Sequence, residues 1–192
     1  MPSTNIEYAE LASNGKPIDG RALVRVLIGP PGAGKTTLCE HEGWRFGTCL
    51  SLDAARADLG AGAHDQTATP AAVEHVELQA HALLAAGADV TIDATSTTAA
   101  ERSTWLAVAK EHEAAAVAVI VRTPLETALA RNAGRAQPVP EAVVKLFGQR
   151  VALLSAADLV KKEHFSRVWA CTPPERASLR SVPQPWDGLA RR

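Results

Sequence analysis

Residues Gly29 to Thr36 read Gly-Pro-Pro-Gly-Ala-Gly-Lys-Thr, the phosphate-loop pattern G-x-x-x-x-G-K-[ST] (Walker A), set between an apolar run and a helix-like segment. Gly29, Gly32 and Gly34 lack the Cβ that would hold backbone amides away from an anion, so the chain can curl into a nest of N–H donors. An anion then sits at the start of the helix that begins near Lys35, which makes Ala33, Lys35, Thr36 and Thr37 candidate nucleotide contacts with the glycines. Lys35 is spaced to reach β- and γ-phosphates as a mobile point charge, and Thr36 to offer its hydroxyl to Mg²⁺. The cofactors this pattern calls for are ATP and Mg²⁺, with Thr36 as the metal-ligating residue.

Six further positions suit the same chemistry. Thr48 to Leu52 is a strand candidate that closes on Asp53, and Arg56 lies one helical turn on, so both side chains share a face if a helix starts there. Position alone also allows Asp53 to be an N-cap. Asp89 to Asp93 is a second strand ending in a carboxylate, followed by Thr95-Ser96-Thr97-Thr98, a stretch rich in capping groups. Arg102 falls early in the next helix, where a cation opposes the dipole, so an anionic partner such as a phosphate or Asp93 is expected. Arg131 and Arg135, spaced i and i+4, repel each other unless an anion lies between them. They stand in the one local concentration of basic residues, Arg122, Arg131, Arg135, Lys145 and Arg150, opposed by Glu126 and Glu141. Together these parts suit phosphoryl transfer, in which a protein positions groups and neutralises charge.

Alternating strand and helix patterns must position them. The apolar run Leu23 to Ile28 leads into the phosphate loop, and in open α/β sheets strand carboxyl ends face the ligand crevice, which puts Asp53 and Asp93 beside the loop if the sheet is parallel. Helices are expected over 71–86 (closed by Gly87), 99–113, from Pro124, after Pro140, and over 151–164 with a break near Ser155. Ala115 to Val121 is almost wholly apolar and reads as a central covered strand, and Phe165 to Cys171 as a last one. Residues 1–22 read as an N-terminal arm or edge hairpin turning at Asn14-Gly15. Residues 57–70 read as a loop over the site, and 172–192 as a proline-rich tail.

The 192 residues suit one domain, and a formal charge of −1 means that a nucleic-acid partner must be held by a local patch. Cys39, Cys49 and Cys171 show no paired C-x-x-C, which speaks against a disulfide framework or structural zinc and for a reducing cytoplasm. His64, His75 and His81 show no metal-ligand spacing and read as surface histidines. No signal-peptide pattern opens the sequence and no apolar run is membrane-length, so a soluble cytoplasmic protein with no membrane partner is expected. No heptad or apolar stripe specifies an oligomer.

The order of Gly29 to Thr36, Asp53-x-x-Arg56, Val90-Thr91-Ile92-Asp93-Ala94-Thr95 with Arg102, and Arg131-x-x-x-Arg135 before Val139-Pro140 resembles the kinase domain of phage-type 5′-polynucleotide kinases, P-loop kinases with zeta-toxin-like relatives. The resemblance spans about residues 23–171. It implies a P-loop NTPase three-layer α/β/α sandwich with a mostly parallel five-stranded sheet and a helical lid at about 131–140. It further implies that Asp53 is the general base for a 5′-hydroxyl, that Arg56 contacts the phosphate next to the acceptor nucleoside, and that Asp93 organises Arg56 and the acceptor. Arg135 becomes the lid arginine on the ATP phosphates, with Arg131 a weaker match beside it. The acceptor so implied is a 5′-hydroxyl nucleic acid or a nucleotide-like substrate. The loop after Asp93 departs from relatives, which commonly carry Asn where Ser96 stands. The alternatives are a small-molecule or nucleotide-sugar kinase, a kinase of modified bases in DNA, or a nucleotide-binding switch ATPase.

Overall fold

The computed structural model describes residues 6–16, 18, 20–59 and 69–173. The centre of the loop expected over 57–70, with His64, and the tail from residue 174 lie outside the described residues.

Strands β1 (Tyr8–Ser13), β2 (Leu23–Ile28), β3 (Thr48–Ser51), β4 (Val90–Asp93), β5 (Ala115–Val121) and β6 (Arg167–Cys171) form one sheet in the order β1-β6-β5-β2-β4-β3. Five strands are parallel, as the alternation of strands with helices requires, and β1 adds an antiparallel sixth on the edge against β6. The stretch that read as an edge hairpin or arm is therefore an edge strand. It carries a register shift between Glu10 and Ala12.

Period-two alternation sends β5 side chains to two cores. Ala116, Ala118 and Ile120 join Val24, Val26 and Ile28 of β2 in the larger cluster, while Val117, Val119 and Val121 join Leu27 in the smaller one. Both faces are buried, so these strands are nearly uniformly apolar. Helices α3 (Thr69–Ala85), α4 (Ala99–Glu111) and α7 (Ala156–Lys161) cover the larger cluster through Val76, Trp105 and Leu159. Helix α1 (Lys35–Glu42) covers the other with Leu38 and Cys39. The result is a three-layer sandwich. Helices α2 (Leu52–Asp58), α5 (Leu125–Ala133) and α6 (Glu141–Ala152) complete the chain.

Local signals account for the element ends. Thr98 and Glu101 form a reciprocal capping box at the start of α4. Ser155, where a break was expected, N-caps α7. Gly47 has φ +65° and an added Cβ would lie 2.2 Å from the Asp89 carbonyl oxygen, so only glycine fits before β3.

The cysteine reading needs correction. Cys39 on α1 and Cys49 on β3 form a disulfide, which leaves Cys171 as the free thiol, buried in the smaller core. Widely spaced cysteines reveal nothing of this, because the pairing is made by the packing of α1 beside β3. Burial, with a smaller push from Glu42, raises the Cys171 thiol to about 12. Titration with a thiol reagent at pH 8 should therefore find no reactive group in the native protein and one in denaturant. Denaturant with prior reduction should expose all three cysteines. Three in denaturant without reduction would mean that Cys39 and Cys49 are free thiols.

Candidate active site

The parallel register brings the carboxyl ends of β2, β3 and β4 to one edge, where Ser51 faces Asp93 across the β3–β4 pair and Ile28 leads into the phosphate loop. The loop is tied to its neighbours by backbone. The Gly29 amide donates to the Thr95 carbonyl at 3.1 Å, and Thr123 donates its hydroxyl proton to the Ala33 carbonyl at 2.7 Å. Gly32 has φ +80°, and a Cβ there would stand 2.1 Å from the Ala128 carbonyl oxygen of α5. Gly34 N-caps α1 in the left-handed region at φ +94°. The glycines thus serve the loop twice, by conformation and by close approach.

Lys35 is buried and donates to the carbonyl oxygens of Gly29 and Pro30 at 2.9 and 3.1 Å. Burial lowers its pKa, and the charges of Asp93 and Asp53 oppose that shift. Burial likewise raises Asp93, opposed first by Lys35 and then by a hydrogen bond from Thr36. Each buried charge therefore sustains the other. The Thr36 hydroxyl, on an exposed residue, donates to Asp93 Oδ2 at 2.7 Å. Asp93 is thereby placed where it could serve with Thr36 as a second hard oxygen donor, a candidate the sequence reading did not name. A hydroxyl and a carboxylate at the start of α1 fit Mg²⁺, which takes one or two protein oxygens and completes its shell with water and phosphate.

Asp53 sits in the first turn of α2, and the N-cap is Ser51, whose hydroxyl accepts from the Ala54 amide. The Asp53 carboxylate, with a side chain 52 % exposed, is thus left for other partners. Its Oδ1 accepts from Arg56 Nη2 and its Oδ2 stands 3.9 Å from Arg135 Nη2. Arg56 is buried and Arg135 lies just beyond α5, in the loop that leads to α6. The lid stretch 131–140 is the end of α5 and that loop. It is closed by the buried Asn132 side chain, which pairs with both the amide and the carbonyl of Val139 at 3.1 and 2.8 Å. Arg131, still on α5, holds Nη1 3.4 Å from where a Gly34 Cβ would be. The two arginines are therefore divided. Arg131 lies over the phosphate loop, and Arg135 faces Asp53 and opposes protonation of Lys35 with its own charge.

Arg102 has the anionic partner expected of it, though not the one named. It is buried, and its Nε and Nη2 donate to the two carboxylate oxygens of Glu163 at 2.8 and 2.6 Å, while Nη1 donates to the Ser96 carbonyl at 2.9 Å. The carboxylate it meets is that of Glu163 and not Asp93. Glu163 lies 61 residues away in sequence, and no local pattern announces it. The same bond braces the loop after Asp93, where Ser96 has φ +46° and the Ser96 and Thr97 hydroxyls are buried without a protein partner. Those two hydroxyls are polar groups of the site that read in sequence only as capping residues.

A family profile described as an AAA domain matches residues 24–154. The chain belongs to that family. Its fold is that of P-loop kinases. Residues 24–154 of the AAA domain contain the phosphate loop, Asp53, Arg56, Asp93, Arg131 and Arg135. Among solved structures, this chain is similar to a chain of the Pnkp1/Rnl/Hen1 RNA repair complex, with a TM-score of 0.62 at 18 % identity over 89 % of this chain and 54 % of that one. It therefore spans about half the length of that protein. It is also similar to a chain of the PezAT chromosomal toxin–antitoxin system of Streptococcus pneumoniae (TM-score 0.54, 15 % identity, covering 82 % of this chain and 70 % of that one). A putative kinase from Chloroflexus aurantiacus gives a TM-score of 0.53 at 17 % identity over 68 % of this chain and 80 % of that one. At these identities the likeness is one of fold. No curated protein matches the sequence. Among the described residues, no helix is long and apolar enough to cross a membrane.

Proposed function

We propose that the protein is an ATP-dependent phosphotransferase that moves the γ-phosphate of ATP to a hydroxyl acceptor, the 5′-hydroxyl of a polynucleotide or nucleoside. The observation that carries this reading is a half-exposed carboxylate, Asp53, in the first turn of α2 just past the carboxyl end of β3, held by Arg56 and faced by Arg135. A switch ATPase has no need of a half-exposed carboxylate pinned between two arginines.

In this mechanism the amides of the phosphate loop and the start of α1 hold the nucleotide phosphates. Lys35, now on the Gly29 and Pro30 carbonyls, turns its ammonium to the β- and γ-oxygens. Bound Mg²⁺ supplies charge neutralisation at the phosphates, and Thr36 with Asp93 would hold it. Asp53 accepts the proton of the acceptor hydroxyl as the oxygen attacks phosphorus, and Arg56, which holds that carboxylate before the acceptor arrives, passes to the acceptor. Arg131 and Arg135 offset the charge that develops on the transferred group. An acceptor phosphate that takes over the guanidinium of Arg56 would release Asp53 for its role as base, which favours an acceptor with an anion beside its hydroxyl.

The test is direct. Purified protein with labelled ATP and Mg²⁺ should label a 5′-hydroxyl oligonucleotide and leave a 5′-phosphorylated one unlabelled. Transfer to sugars or other small metabolites alone would make it a small-molecule kinase, a reading that the near-zero formal charge of −1 also accommodates. Hydrolysis of ATP without transfer to any hydroxyl would overturn the kinase assignment.

A further inference from the structure

We infer a transition-metal site at the opposite edge of the sheet from the phosphate loop, held by His81, Glu111 and His112. His81 stands in the last third of α3, Glu111 is the last residue of α4, and His112 is its C-cap. Helix α4 runs back from the strand carboxyl ends, and β5 starts at Ala115, level with Leu23 at the amino end of β2. The cluster is therefore remote from Lys35 and Asp53.

The geometry points to a ligand set. His81 Nδ1 and His112 Nε2 face each other at 2.8 Å, and Glu111 Oε1 lies 3.9 Å from the same His81 Nδ1. The three donor atoms all lie within 4.8 Å of one another. Two imidazole nitrogens at 2.8 Å share one proton, so one ring donates and the other accepts. A divalent cation can take the place of that proton. The donor ring then changes tautomer, its proton passing through solvent to its other nitrogen, and both lone pairs become ligands. Two nitrogens at about 2.0–2.1 Å from one zinc ion at the tetrahedral angle stand about 3.3 Å apart, so the rings need to part by only about half an ångström. Both rings are partly buried, while the Glu111 side chain is 70 % exposed and has room to swing in.

Two imidazoles and one carboxylate match the donor preference of Zn²⁺ and neighbouring first-row ions and not that of Mg²⁺, and three protein donors leave a fourth position for water. The carbonyl end of α4 adds a favourable potential for a cation. Because the ligands come from two helices, the bound ion would clamp α3 to α4. This differs from the reading of His81 as an isolated surface histidine. Its partner is 31 residues away and is reached only through helix packing.

The experiment uses full-length, untagged protein in excess Mg²⁺, titrated with Zn²⁺ by calorimetry and by competition with a colorimetric chelator. One equivalent should bind, and Zn²⁺ should raise the thermal midpoint. His81→Ala and His112→Ala should each weaken binding by about tenfold or more, and the double variant should abolish both the binding and the thermal shift. Glu111→Gln, an exposed change that leaves folding intact, should weaken binding less than either histidine variant. Far-UV circular dichroism checks that each variant is folded. Binding of Zn²⁺ with equal affinity by the wild type and the folded double variant would overturn the site, as would no binding at all. Phosphoryl transfer is not a readout, so failure here leaves the kinase reading untouched.

Discussion

Replacing Asp53 with Ala is expected to lower phosphoryl transfer to a 5′-hydroxyl end by about 10²–10⁴-fold, the range over which a positioned general base contributes. The loss should fall on kcat. ATP affinity should stay within about tenfold, because the phosphates are held by loop amides and Lys35, none of which Asp53 binds directly. The fold should survive, since the Asp53 side chain is 52 % exposed and α2 keeps its Ser51 cap. Lys35→Met supplies the contrast: it removes the buried ammonium and should weaken ATP binding itself, and with it transfer. The checks are steady-state transfer kinetics and nucleotide binding on the same preparations. An Asp53→Ala protein that transfers phosphate at the wild-type rate would end the role assigned to that carboxylate.

Arg102→Ala should be the most destabilising single change outside the hydrophobic cores. Breaking a buried ion pair by removing one partner costs about 3–5 kcal/mol, because the other charge is left without compensation. The Glu163 side chain is 18 % exposed and can recover some hydration, which places the expectation near the low end, about 3 kcal/mol. For a domain of this size that is a fall in thermal midpoint of roughly 6–12 °C. The Ser96 carbonyl also loses its guanidinium donor, so the loop after Asp93 should exchange its amides faster with solvent. Unfolding in urea, with Glu163→Gln and the double variant completing a cycle, measures the coupling. A change below about 1 kcal/mol would mean that the pair contributes no more than an exposed one.

The two predictions rest on different kinds of legibility. Asp53, Lys35 and Thr36 were visible because their chemistry is tied to a short-range pattern: a strand that ends, a loop that needs glycine, a helix that begins. The alternation of apolar strands and amphipathic helices likewise specified the parallel sheet, and strand β5 emerged with the bounds expected, Ala115–Val121. Proline and glycine marked helix ends at Gly87, Pro124 and Pro140, since each restricts backbone geometry wherever it occurs.

What the chain alone determined, then, is the phosphate loop, the order of the elements and the sheet edge at which charged groups collect. Tertiary structure decided who pairs with whom. Arg102 found Glu163, Asp93 took up Thr36, Cys39 met Cys49, His81 met His112, and Arg135 came to face Asp53. The physical reason is range. Turn, cap and periodicity signals act over a few residues and are written locally, whereas an ion pair or ligand set depends on the relative placement of helices packed on a sheet. That placement is set by the summed burial of many apolar side chains, none of which names the polar partner it brings close.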